Sequence, residues 1–208
     1  MTTTAVDLEQ QLEAEDGVID VDRVMPHLDF PWASLPPGPR RWAPTDLSVE
    51  VEGQTLSAVR LTYRTVGDRA VVVAGTRTDV DIDWMAERMA TPLLFAQLRK
   101  SNAGVAPASL MAALDAEMVW DEPTEDGWTF GQCGVGSRPV RLARRSAPEG
   151  HVIVAASGVA LEELTTMVAG LVDLTDDPEA ADELHVRHRR ALAQRWWDAP
   201  RTPWTPDN

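Results

Sequence analysis

The chain has 208 residues, 44% of them hydrophobic, one cysteine, and a formal net charge of −14 at pH 7. This length and apolar content suffice for a buried core, and the lone Cys133 excludes an intramolecular disulfide and a multi-cysteine metal site. The negative charge disfavours nucleic acid and anionic lipid as partners, and no apolar stretch approaches the roughly 20 residues of a membrane span. We therefore expect a cytoplasmic protein with no cofactor, no nucleic-acid partner and no membrane partner.

The first 46 residues are predicted to contain a short helix followed by a proline-rich, extended segment. Their start is acidic, unlike the basic and apolar start of a signal peptide. Aromatic and aliphatic side chains stand among the prolines. We expect four of them to lie against a sheet while the prolines keep the backbone extended, namely Phe30, Trp32, Leu35 and Trp42.

Residues 47–91 form a first predicted unit of three strands and a helix. Residues 59–64 alternate between apolar and polar, as a half-buried strand does, whereas residues 71–74 are continuously apolar, as in a strand buried on both faces. Three aspartates, Asp79, Asp81 and Asp83, precede the helix. They lack the glycine and glutamate of a calcium-binding loop, so we interpret them as residues that stabilise a helix N-terminus.

Residues 120–174 repeat this pattern 81 positions later. Residues 59–76 align without gaps on residues 140–157, with seven identities in 18 positions, which predicts a duplicated strand–strand–strand–helix unit. Between the units, residues 92–119 form a predicted helical connector. Because Thr91-Pro92 is typical of a helix start, we expect the first unit's helix to stop there and a new short helix to begin.

The C-terminal part is predicted to contain a charged helix over residues 175–197, started by Asp177-Pro178, and an extended tail over residues 198–208. The predicted fold is therefore α+β. It has an antiparallel sheet of about six strands built from two βββα repeats with pseudo-twofold symmetry, with the helices mainly on one face. We expect all of these segments to form one globular domain.

Two groups of residues could carry chemistry. Cys133 lies in a glycine-rich stretch, and His151 and Arg141 could converge on it in a pocket between the repeats, but a structural cysteine in a hairpin explains the same stretch. His185 and His188 lie three residues apart on the last helix, where neighbouring arginines disfavour a metal ion. We assign no catalytic, cofactor-binding or metal-binding residue.

Two arginine groups, one around residues 138–145 and one around residues 187–195, are interpreted as internal charge balance. The C-terminal aromatic cluster has the composition of an interface anchor, although it could equally fold back on its own sheet. Its residues are Arg195, Trp196, Trp197, Arg201 and Trp204.

No catalytic or nucleotide-binding motif occurs, so function is expected to reside in a binding surface. Small acidic proteins with duplicated strand-and-helix units are similar in shape to secretion chaperones and adaptors. The sequence thus favours a non-enzymatic protein-binding module, chaperone-like or adaptor-like, or a neutralising partner of a basic protein. The alternatives are a small-molecule-binding or enzymatic domain and a homo-oligomeric structural subunit, in which the partner is a second copy.

Overall fold

The computed structural model describes residues 8–14, 16–37, 42–65, 69–101, 118–134 and 139–198. Within this part of the chain, no helix combines the length and the apolar character needed to cross a membrane. The helices are α1 (Leu8–Leu12), α2 (Val21–Val24), α3 (Ile82–Ser101), α4 (Leu161–Ala169) and α5 (Pro178–Asp198), and a 3₁₀ turn covers Met25–His27.

The main sheet is antiparallel and has seven strands in the order β2-β3-β4-β8-β7-β6-β5. Its strands are β2 (Ala43–Glu52), β3 (Thr55–Arg64), β4 (Ala70–Thr76), β5 (Val119–Trp120), β6 (Thr129–Cys133), β7 (Val140–Ala147) and β8 (Gly150–Ser157). A second, two-stranded sheet joins β1 (Ala33–Ser34) to β9 (Val172–Asp173). The predicted α+β class with an antiparallel sheet is confirmed, and the short edge strand β5 adds a seventh strand to the expected six.

Strands β4 and β8 form the centre of the main sheet. They pair with each other around Val73 and Val154. Every residue of β4 after Ala70 is buried, and so is every residue of β8 except His151. The continuous apolar runs were predicted to be buried on both faces, and this is confirmed.

Four of the described helices lie on one face of the main sheet and α3 lies on the other, so both faces are covered. On one face, here called the α3 face, Met85, Met89 and Leu93 of α3 pack against Ala74, Leu142 and Ile153. The opposite face, here called the N-terminal face, carries α1, α2, α4 and α5. These helices contribute Leu8, Leu12, Val21, Val24, Leu164, Val168 and Leu184 to a second core.

The duplication is not confirmed by this architecture. The sequence alignment of the two units places Leu61 on Leu142. However, Leu61 belongs to the core of the N-terminal face and Leu142 to the core of the α3 face. The helices that follow the two units, α3 and α4, also lie on opposite faces. A one-residue shift in a strand exchanges its two faces, so letter identity alone does not establish structural equivalence. The repeat and its symmetry stay predictions.

The proline-rich N-terminal segment crosses the N-terminal face directly over the central strands. A Cβ atom on Gly75 would lie 2.2 Å from the carbonyl oxygen of Pro31, and one on Gly150 would lie 2.8 Å from Pro31 Cδ. Of the four side chains predicted to lie against the sheet, Phe30, Trp32 and Leu35 are at most 2% exposed, and Trp42 is partly buried against the same core. Strand β1 then pairs with β9, which fixes the segment in place.

Helix α3 continues through Pro92, so the predicted helix end at Thr91 is wrong. Proline removes one backbone hydrogen bond from a helix interior and crowds the preceding turn. Buried side chains on both sides of Pro92, Met85 and Met89 before it and Leu93 and Leu94 after it, attach the whole helix to the sheet. At the start of α5, Asp177 Oδ1 accepts a hydrogen bond from Ala180 N at 3.0 Å, as the helix-start motif predicts.

Candidate interaction surface

An aromatic side chain begins a line of contacts at the β5 edge of the α3 face. Trp120 lies over Gly131, where a Cβ atom would stand 2.5 Å from the indole ring, so only glycine leaves room for it. The guanidinium group of Arg144 lies 4.0 Å from the centre of the Trp120 ring. Arg144 also forms an ion pair with Asp83 of α3. These contacts attach the helix to the sheet edge.

Trp84 stands on the solvent-facing crest of α3. Successive helical residues are about 100° apart, so burial of Met85, Ala86 and Met89 turns Trp84 away from the sheet. The side chain is 45% exposed. Arg88, one turn later, lies 4.6 Å from the centre of the Trp84 ring in a cation–π contact. A large aromatic group is thus presented to solvent on a well-anchored helix.

The line of contacts ends near the other edge of the sheet. Arg88 lies 3.0 Å from Glu50 Oε1, and Arg60 lies 3.1 Å from the same atom. Neither contact has the geometry of a hydrogen bond at Glu50 Oε1, so both are electrostatic contacts between opposite charges. Together these residues form the cross-sheet stripe, defined as Trp120, Arg144, Asp83, Trp84, Arg88, Glu50 and Arg60.

Exposed carboxylates lie beside Asp83 and Trp120 of the stripe. Asp81 Oδ1 accepts hydrogen bonds from the backbone N–H groups of Asp83 and Trp84, at 2.9 and 3.1 Å, which confirms that this acidic run caps the helix start. The turn after β5 adds Asp121, Glu122, Glu125 and Asp126, all exposed. A hydrogen bond from the Thr124 side chain lowers the pKa of Asp126, so this carboxylate is charged at neutral pH.

The structure does not bring Cys133, His151 and Arg141 together, so their predicted convergence is wrong. Cys133 pairs with Val140, and His151 pairs with Ser146, six residues or about 20 Å further along β7. Burial raises the pKa of the Cys133 thiol, and the charge of Glu87 raises it further. Arg141 donates a hydrogen bond to Gln132 Oε1. The cysteine is a buried structural residue, and the continuous β4–β8 pairing occupies the centre where a pocket between the two units was expected.

The two histidines of the last helix do not share a site. His185 Nδ1 lies 2.9 Å from Asp20 Oδ1 and 3.4 Å from Asp22 Oδ1, and these three groups are close enough to hold a metal ion. However, Arg189 lies 3.5 Å from Asp20 Oδ2 and balances its charge. The contacts of His185 and Arg189 with Asp20 account for this cluster and attach α5 to the N-terminal segment. Sequence reasoning missed the aspartates because 165 positions separate Asp20 from His185.

His188 is a different case, because it is only 1% exposed. Its Nε2 atom has no hydrogen-bond partner among the described residues. Burial lowers the pKa of His188, and the neighbouring Asp46 opposes that effect. His188 is therefore a neutral core residue.

Of the two predicted arginine groups, Arg144 and Arg189 pair with carboxylates, whereas Arg187 and Arg145 contact carbonyl oxygens and an aromatic ring. Arg187 donates hydrogen bonds to the carbonyl oxygens of Leu35 and Trp42, at 3.2 and 3.5 Å. Arg189 pairs with Asp16 at 2.8 Å, and Arg145 lies 5.0 Å from the centre of the Trp128 ring.

The C-terminal aromatic cluster lies largely outside the described residues. Arg195, Trp196 and Trp197 fall in the last turn of α5, but their side chains are not described, and Arg201 and Trp204 lie beyond the described chain. The prediction that they form an interface anchor stays a prediction.

Comparison of the chain with protein-family models, with curated proteins and with solved structures finds no match. Function is therefore inferred from the geometry of the molecule alone.

Proposed function

We propose that this chain is a non-enzymatic protein-binding module, of the adaptor or chaperone kind. The observation that carries this proposal is the cross-sheet stripe with Trp84 at its crest. Tryptophan and arginine are the residues most enriched at the energetic centres of protein interfaces. Here Trp84 is 45% exposed and stacked by Arg88, on a helix whose other side is buried against the sheet.

The anchoring of α3 supports this role. An interface aromatic contributes most when it is already held in its bound position, because less conformational freedom is then lost on binding. The ion pair of Arg144 with Asp83 and the contact of Arg88 with Glu50 hold the helix from both sides. The predicted C-terminal anchor, with Trp196, Trp197 and Trp204, is a second contact region within the same proposal.

The positions of the nucleophile candidates favour binding over catalysis. Among the described residues, the thiol of Cys133 is buried with a raised pKa and lies far along the sheet from His151. A nucleophile needs a base within hydrogen-bond reach and a lowered pKa. The pKa of Cys133 is raised instead of lowered, and His151 lies out of hydrogen-bond reach of its thiol.

Capture from native cell lysate with the tagged full chain tests the proposal. We expect a protein to be retained by the wild type and by Val186→Ser, and lost from Trp84→Ala or from a chain that lacks residues 198–208. Val186 is a matched control, because it is 53% exposed on a different helix. Light scattering at two concentrations separates capture of a partner from self-association. Equal capture by all four chains, or capture by none, would overturn the proposal.

A further inference from the structure

The cross-sheet stripe combines apolar anchors with an acidic surround, and this combination has a specific chemical complement. We propose that it binds a basic, amphipathic segment of the partner protein, with an apolar side chain against Trp84 and Trp120 and basic side chains against the neighbouring carboxylates. This inference rests on the proposed function and adds the chemistry of the partner.

The apolar part of the surface extends beyond Trp84. Trp120 of the edge strand β5 is only partly buried. The ion pair of Arg144 with Asp83 bridges the gap between Trp120 and the helix. An apolar side chain of a partner would therefore meet aromatic surface on two elements.

The charge around this apolar surface is strongly unbalanced. Residues 77–88 and 119–128, with the adjacent Arg144, contain eight carboxylates and three arginines. Those arginines already have partners within the molecule: Arg77 has Asp79, Arg88 has Glu50 and Arg144 has Asp83. The exposed acids of the turn after β5 face solvent, so the surface attracts positive charge.

The negative charge around this aromatic surface favours some binding partners over others. A second copy of the chain would bring another net charge of −14 against the first, and nucleic acid or anionic lipid would be repelled in the same way. A basic segment gains electrostatic attraction that speeds association and fixes its orientation. Complementary charge therefore favours a basic protein segment.

Three fluorescently labelled 15-residue peptides test the proposal by fluorescence anisotropy. The first is composed of lysine and leucine, the second of lysine and serine, and the third of glutamate and leucine. We expect the full chain to bind the lysine–leucine peptide at least about tenfold more tightly than either of the others. Replacing Trp84 by alanine should weaken binding about tenfold, the scale of loss for an interface aromatic. The combined variant D121N/E122Q/E125Q should weaken it by a similar factor.

Matched controls separate this surface from general attraction to an acidic chain. The variant E179Q/D182N/E183Q removes three exposed charges from α5, and Val186→Ser removes an exposed apolar group there. Both should retain binding within about twofold, since surface charges away from an interface contribute little. Circular dichroism and thermal unfolding check that all variants stay folded.

Equal binding of the two lysine peptides, or equal loss in both triple-charge variants, would overturn the assignment of this surface. If no peptide binds but a lysate protein is still captured in a manner that depends on Trp84, the basic-segment inference fails while the proposed function stands. If capture is also independent of Trp84 and of the tail, both fail.

Discussion

Gly75 is the residue at which the N-terminal segment touches the main sheet most closely. A Cβ atom there would stand 2.2 Å from the carbonyl oxygen of Pro31, which is backbone and is held by the pairing of β1 with β9. The absence of a side chain therefore allows two backbone layers to meet. In sequence terms this glycine looks like a weak point in an apolar strand, since glycine is usually unfavourable in strands.

Replacing Gly75 by alanine should destabilise the fold by about 1–3 kcal/mol, because the crossing segment must shift to admit the methyl group. Urea unfolding followed by tryptophan fluorescence measures the change. Gly170→Ala is the matched control: its nearest contact is 3.5 Å and its φ is −99°, so the added methyl group meets ordinary contacts. A loss no larger than that of the control would contradict the close approach.

His188 links stability to pH through its burial. Its pKa in the folded protein lies below the ordinary value of 6.5 because burial penalises the charged ring. Arg189 and His185 on the same helix disfavour the charge as well, while Asp46 on β2 and Asp20 before α2 favour it. As the pH falls below about 6.5, the unfolded chain takes up this proton first, so stability is lost on acidification and is complete above that value.

The variant His188→Leu should therefore lose less stability than the wild type between pH 7.5 and pH 5.5. The difference should reach at most about 1.4 kcal/mol, the value of one pKa unit. Urea unfolding at the two pH values measures it, with the exposed His27→Gln as control. The same pH dependence in wild type and His188→Leu would show that His188 is not buried in its neutral form.

Helix α3 shows how tertiary contacts outweigh a local signal. Thr91-Pro92 predicts a helix start, yet the chain continues as one helix, and the Thr91 hydroxyl donates a hydrogen bond to the carbonyl of Glu87 at 2.9 Å. Buried side chains before and after Pro92 hold both halves against β7 and β8. The helix thus tolerates the proline at a cost in stability, and its rigidity is what presents Trp84.

Replacing Pro92 by alanine should stabilise the protein by about 1–3 kcal/mol, because the N–H of residue 92 would restore a hydrogen bond to the carbonyl of Arg88. Pro178→Ala is the comparison, since Pro178 is the first residue of α5, where proline is well tolerated. Thermal unfolding measures both. If Pro92→Ala gained no more than Pro178→Ala, the uninterrupted helix would be contradicted.

The molecule as a whole is organised around the central pair β4–β8, with helices on both faces. Each of these strands is paired on both sides and almost wholly buried, whereas β5 has two residues and lies at the sheet edge. Opening of the centre therefore requires global unfolding, while the edge and the short N-terminal helices open locally.

Hydrogen exchange read out by mass spectrometry should find the slowest amides in β3, β4, β7 and β8. Amides of α1, α2 and β5 should exchange at least about tenfold faster, because far less structure has to open to expose them. Protection of α1 equal to that of β4 would contradict this ranking of local stability.

Sequence reasoning succeeded where the signal was local. The apolar runs of β4 and β8, the cap of α5 and the aromatic residues among the N-terminal prolines depend on neighbours in the chain. It failed where distant residues meet. The contact of Asp83 with Arg144 joins positions 61 apart, and strand register places Cys133 and His151 at opposite ends of a sheet that they share. Register and face depend on the whole sheet, and no short window contains them.

The pairing of β1 with β9 also determines when, during synthesis, this part of the protein can fold. Ala33 pairs with Asp173, about 140 positions later, so the N-terminal strand leaves the ribosome long before its partner exists. Until β9 is synthesised, the apolar side chains that β4 and β8 turn toward the crossing segment lack their final cover. Contacts of such long separation form late and slowly. A nascent or prematurely terminated chain therefore exposes apolar surface that is buried in the finished protein and that favours aggregation.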